Sequence, residues 1–192
     1  MASYLNLPVR FAPYENIIEA IDLGLQYTNK IALLGAQVSI HPKFKQICEY
    51  IAQKVQKNPE IEMSISSLRV DAVDDAMIKT LVSAHQKHVT IAIEAGSERL
   101  RKIINKNITE EQIKHTIETA RLNGLKGVKI YAMIGIPTET QEDLNEMVRV
   151  AKELKRANKG FDISFAFSSF IPKPHTPLQW CGRFSTKELE KR

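Results

Sequence analysis

Cysteine is nearly missing from this chain: 192 residues carry two, Cys48 and Cys181, far apart. That excludes a disulfide framework and any iron–sulfur or metal site built on clustered thiolates, so no metal ligands are assigned. Cys48 lies on an apolar helical face beside Ile47 and Ile51 and reads as a buried structural thiol. Long hydrophobic runs are missing too. No stretch reaches the roughly 18 apolar residues of a membrane span, and Met1-Ala2-Ser3-Tyr4 does not begin a signal peptide. A cytoplasmic protein with no membrane partner is expected. Neither sign of charge is in large excess, since 27 Lys and Arg against 22 Asp and Glu leave +5. The signs alternate along most segments and no basic block or arginine-rich arm occurs, so a solvated helical surface is expected and a nucleic-acid footprint is not.

What the chain does have is alternation. Short β-rich runs over 30–34, 62–66, 89–93, 128–134 and 162–170 are separated by longer segments of helical periodicity. Such βα units predict a parallel sheet. Pro13 starts a helix carrying Ile17, Ile18, Ile21 and Leu25, and Phe44, Ile47, Ile51 and Val55 repeat the pattern. Asp74 is placed to cap a third helix, Thr109 with Gln112 and Thr140 with Asp143 make further helix starts, and Ser185 with Glu188 caps a last short one. The expectation is one α/β domain over 1–192, with 181–192 a tail, built as a partial TIM-like (βα) barrel. A complete barrel needs about 250 residues and begins with a strand, whereas this chain begins with a helix, so the first strand is read as missing. The strand at 30–34 would then have an open edge, through which the chain is expected to associate with itself.

Ligands of such folds bind at the carboxyl ends of the strands. The unusual residues of this chain gather there. Gly35-Ala36 lets a ligand approach the backbone, or simply turns the chain. Ser66-Ser67, Arg69 and Asp71 follow the next strand, and an Arg69–Asp71 salt bridge is an equal account of that pair. Glu94 ends the strand Thr90-Ile91-Ala92-Ile93, where a carboxylate is costly unless it is used or paired; its two oxygens suit a sugar diol. Gly96-Ser97 opens a helix whose N-terminus favours an anion, with a plain Ser97 cap as the alternative. Met133-Ile134-Gly135-Ile136-Pro137 offers an apolar flat face to one side of an adenine ring, or is a loop before a helix. His175, in the rigid Pro172-Lys173-Pro174-His175-Thr176-Pro177 loop, reads as a surface histidine, and no catalytic residue is assigned.

Taken in order, these motifs resemble the later strands of the radical S-adenosylmethionine (radical SAM) enzymes over roughly 5–180. The resemblance implies a 4Fe–4S cluster on three cysteines that this chain lacks, with the segment 2–10 looking like the stretch just beyond them. It implies that Gly35 and Ala36 meet the methionyl amino group, Glu94 the ribose hydroxyls, Lys106 the methionyl carboxylate, and the stretches around Ile136, Pro137 and Ile171 the adenine. The segments 94–101 and 170–180 look most like members with an added cobalamin domain, and next like methylthiotransferases. SAM is the cofactor this implies for the chain. The cluster, and with it cobalamin, would belong to an intact parent whose cluster segment and other domains are partners of this one. There the cluster would reduce SAM to a radical that takes hydrogen from a substrate; this chain by itself is expected to be inactive. A non-catalytic α/β nucleotide- or RNA-binding module is the rival account.

Overall fold

A computed structural model of the chain describes residues 8–35 and 37–192, so the expectations for Ala36 and for the segment before Pro8 lie outside the described residues. The order is α1 (Tyr14–Leu25), β1 (Lys30–Leu33), a 3-10 turn (Val38–Ile40), α2 (Phe44–Lys57), β2 (Glu62–Ile65), a 3-10 turn (Val70–Ala72), α3 (Asp75–Ser83), β3 (His88–Glu94), α4 (Glu98–Ile103), α5 (Glu110–Leu122), β4 (Gly127–Ile134), α6 (Gln141–Ala157), β5 (Asp162–Ser169) and α7 (Thr186–Leu189).

Helix starts obey their local signals. Asp74 accepts the Met77 amide at 2.8 Å. Capping boxes form at Thr109 with Gln112, Thr140 with Asp143 and Ser185 with Glu188, each satisfying amides that the first turn leaves free.

All strand pairs are parallel, as the βα alternation requires, but they form two sheets, β1-β2 and β3-β4-β5. Between them lies a seam. After Ile65 the chain leaves the ladder, and a Leu68–Ile91 bridge rejoins it. The side-chain amide of Gln86 fills the gap: its oxygen accepts from the Ile65 amide at 3.0 Å and its nitrogen donates to the His88 carbonyl at 2.9 Å. One side chain thus does what two backbone groups do in a continuous sheet.

Alternation decides which face meets the helices. Met63 and Ile65, Val89, Ile91 and Ile93, Val128, Ile130 and Ala132, and Ile163 are buried in one apolar core with Ile47, Ile51, Ile78, Leu81, Ile113, Ile117, Val150 and Leu154 of the helices. The opposite face carries Ser64, Thr90, Ala92, Glu94, Lys129 and Tyr131 and stays partly or fully accessible. Among the described residues the outer edge of β1 has no strand partner, and no helix is long and apolar enough to cross a membrane. Within the expected tail 181–192, Leu189 is buried and Arg192 pairs with Glu139 beyond the end of β4.

Candidate functional site

Glu94 closes β3 in an unusual way. Its φ is 65°, in the left-handed region that only glycine adopts freely, and the β3–β4 register slips there, from Ala92 opposite Tyr131 to Glu94 opposite Ala132. The bulge leaves Ile93 as the unpaired residue, and the left-handed backbone of Glu94 costs about 1–3 kcal/mol of strain. Its carboxylate stands 3.4 Å from the Lys106 ammonium, both side chains about one quarter exposed. Sequence separation had made these two independent candidates; the fold makes them a pair. Glu94 and Gly35 share the wall of a cavity of about 1250 Å³, together with Arg10, Phe11, Leu34 and His41. A Cβ on Gly35 would meet only Val38, at 3.4 Å, so packing does not demand a glycine there.

Packing does demand one at Gly96. A Cβ there would lie 2.3 Å from the Met147 Cα, so α6 crosses directly over the loop. Ser97 is buried and fully engaged: its hydroxyl accepts the Leu100 amide at 3.2 Å and donates to the Asp143 carboxylate at 2.5 Å. At the anion site expected at Gly96-Ser97 the Ser97 hydroxyl is therefore taken up by the helix cap and by Asp143, a bolt between the β3 loop and α6. Asp143 also accepts from the Thr140 amide at 2.8 Å and pairs with Arg99.

Burial pushes the Asp143 carboxyl up, but Arg99, Ser97 and Thr140 outweigh it and hold its pKa at about 2. A carboxylate depressed in the folded state stabilises the fold above its unfolded pKa of about 4, and loses that contribution as pH falls through the folded value. The stability gap between wild type and Asp143→Asn should therefore narrow by about 2 kcal/mol as pH drops from about 4 to about 2. Urea titrations across that range test it; a constant gap would mean that the ion pair is worth nothing.

Arg101 is the residue that sequence reasoning missed. It is fully buried. Nη1 donates to the carbonyls of Ala95 at 2.9 Å and Gly96 at 2.7 Å, and Nε to that of Ile108 at 2.9 Å, while Nη2 has no hydrogen-bond partner and the Glu98 carboxylate lies 3.8 Å away. Desolvation lowers the guanidinium pKa. Arg101 ties the loop after Glu94 to the turn that carries Lys106, whose amide donates to the Arg101 carbonyl at 2.7 Å. No periodicity or cap marks it, because its partners come from loops.

The other candidates divide. Arg69 binds Asp71, with Nε 2.6 Å from Oδ1, so the salt bridge is formed. The Asp71 carboxyl is held below its usual range by Arg69 above all, with Lys106 contributing from nearby. Ser67 is half-buried beside them. The Ile136 side chain, expected at the adenine, is fully buried with Ala95 and Leu100; Met133, Ile134 and Pro137 stay partly accessible and Ile171 is half exposed.

Known proteins place this geometry. The Radical SAM superfamily model matches residues 3–151. The uncharacterised protein MJ0966 of Methanocaldococcus jannaschii is 34% identical over 181 residues, 93% of this chain and 38% of that protein. A tRNA-2-methylthio-N(6)-dimethylallyladenosine synthase of Methylobacillus flagellatus is 29% identical over 187 residues, 88% of this chain and 39% of that protein. The chain thus spans under half the length of these relatives. The radical S-adenosylmethionine methyltransferase TsrM of Kitasatospora setae, solved with cobalamin and a 4Fe–4S cluster bound, has the same fold at a TM-score of 0.66 and 15% identity, over 85% of this chain and 30% of that one.

Proposed function

Because the chain belongs to the radical SAM superfamily, we propose that it is the SAM-binding part of a radical SAM iron–sulfur enzyme and does not turn over by itself. The observation that carries this is Glu94, a carboxylate kept in a strained conformation on the wall of a large cavity that runs along α1 and β1 and reaches the carboxyl end of β3. Strain at such a place persists where ligand binding depends on it.

The residues fit the cofactor. Glu94 would accept the two ribose hydroxyls, Lys106 would exchange its partly buried pair with Glu94 for the methionyl carboxylate, and Gly35 leaves room for the amino end. That swap exchanges one carboxylate for another on the same ammonium, so the Lys106 charge stays paired. SAM supplies radical chemistry when it is reduced; these residues bind and orient it. They do not fit the cluster. Cys48 is buried in α2, its thiol pushed up to about 12 by burial above all, Cys181 lies in the loop before α7, and among the described residues no group of His, Cys, Asp and Glu could hold a metal ion.

In a longer form of the protein that carries cluster cysteines, Glu94→Ala and Lys106→Ala should each weaken SAM binding roughly ten-fold or more, the worth of one hydrogen bond to a charged group. Glu94→Gly separates strain from function. It should stabilise the fold by about 1 kcal/mol by relieving the left-handed backbone while losing the same affinity. Calorimetry decides: wild-type affinity in all three variants sinks the reading.

A further inference from the structure

The turn after β4 is held from behind by the end of the chain. Gly135, at φ 77°, donates its amide to both carboxylate oxygens of Glu139, at 3.0 and 3.1 Å. That carboxylate is 2% exposed, and its counter-charge is Arg192 Nη1 at 2.5 Å. The Arg192 guanidinium lies over the Phe184 ring at 4.0 Å. Phe184 and Leu189 close over Gly135 so tightly that a Cβ there would stand 3.2 and 2.7 Å from them. In front, Ile136 is pinned inward, which leaves Met133, Ile134 and Pro137 as the accessible apolar surface of the turn.

We propose that residues 184–192 are a latch that sets the shape of the turn at Gly135 for an adenine ring, with Arg192 and Glu139 as positioning residues. This rests on the SAM reading above. The physical reason is the cost of a buried charge. With Arg192 removed, Glu139 keeps one amide donor, and a buried carboxylate without its cation must take up a proton or be reached by water. Either change weakens its charge-assisted hold on the Gly135 amide and lets the turn open. A turn that is competent about one time in five raises an apparent dissociation constant about five-fold.

The test is an amide-shift titration of the chain with two ligands, S-adenosylhomocysteine and S-ribosylhomocysteine, which share ribose and amino acid and differ in adenine. Arg192→Ala should weaken the first about five-fold and leave the second unchanged. It should also speed hydrogen exchange at the Gly135 amide roughly ten-fold, and Arg192→Lys should restore most of both. Glu94→Ala should weaken both ligands alike. Wild-type S-adenosylhomocysteine binding in Arg192→Ala, or equal weakening of the two ligands, overturns the latch while Glu94→Ala still upholds the cofactor reading. Wild-type affinity for both ligands in Glu94→Ala sinks the cofactor reading and the latch with it. Should Arg192→Ala fail to fold, Phe184→Leu removes the stacking partner and is judged by the same comparison.

Discussion

Gly96→Ala will lower the unfolding free energy by about 3 kcal/mol or more, at the upper end of what overpacking a core costs. The new Cβ would sit 2.3 Å from the Met147 Cα and 2.4 Å from its nitrogen. Backbone atoms cannot swing aside as a side chain would, so α6 must shift as a body. That shift strains the bonds from Asp143 to Ser97 and Arg99, which hold the same helix to the same loop. Gly24→Ala is the contrast. Nothing lies within 4 Å of a Cβ there and Gly24 is inside α1, so the exchange should add about 0.5 kcal/mol by helix propensity. Denaturant midpoints for the two variants give the comparison, and a Gly96→Ala loss below about 1 kcal/mol would show that the α6 crossing yields.

Arg101→Met is expected to cost about 3 kcal/mol, since three carbonyls each lose a donor worth about 1–3 kcal/mol while the desolvated charge is relieved. Methionine fills most of the volume, so packing is kept and the loss falls on the carbonyls of Ala95, Gly96 and Ile108. Arg101→Lys should recover little, because an ammonium cannot reach two loops with a planar fork. Since Arg101 joins the loop after Glu94 to the turn before Ile108, the pairing of Glu94 with Lys106 should loosen in the same variants. Equal stability of Arg101→Lys and wild type would remove Arg101 from this role.

Much of this molecule was legible along the chain. Pro13, Asp74, Thr109 with Gln112, Thr140 with Asp143 and Ser185 with Glu188 sit where helices begin, because a cap is settled within one turn. Strand positions followed equally from apolar period and length, and their parallel pairing from the helices between them. Glu94 was legible for a related reason: a carboxylate at the end of an apolar strand is anomalous wherever the strand goes.

The roles of Gly96, Ser97, Ile136 and Arg101 were decided by tertiary structure. Gly96 and Ser97 looked like the mouth of a helix N-terminus until α6 arrived from Met147 and Asp143, 46 residues from Ser97 in the hydrogen bond that matters. Ile136 reads as a surface of an apolar turn, and only its packing with Ala95 and Leu100 turns it inward. The split of the sheet beside β2, mended by Gln86, and the contact of Arg192 with Glu139 across 53 residues have no local signal. Sequence by itself determined what each segment is, since caps, periods and turn residues act over a few residues. Only the fold decided which face of each strand end is open to a ligand, since that depends on which distant helix lies across it.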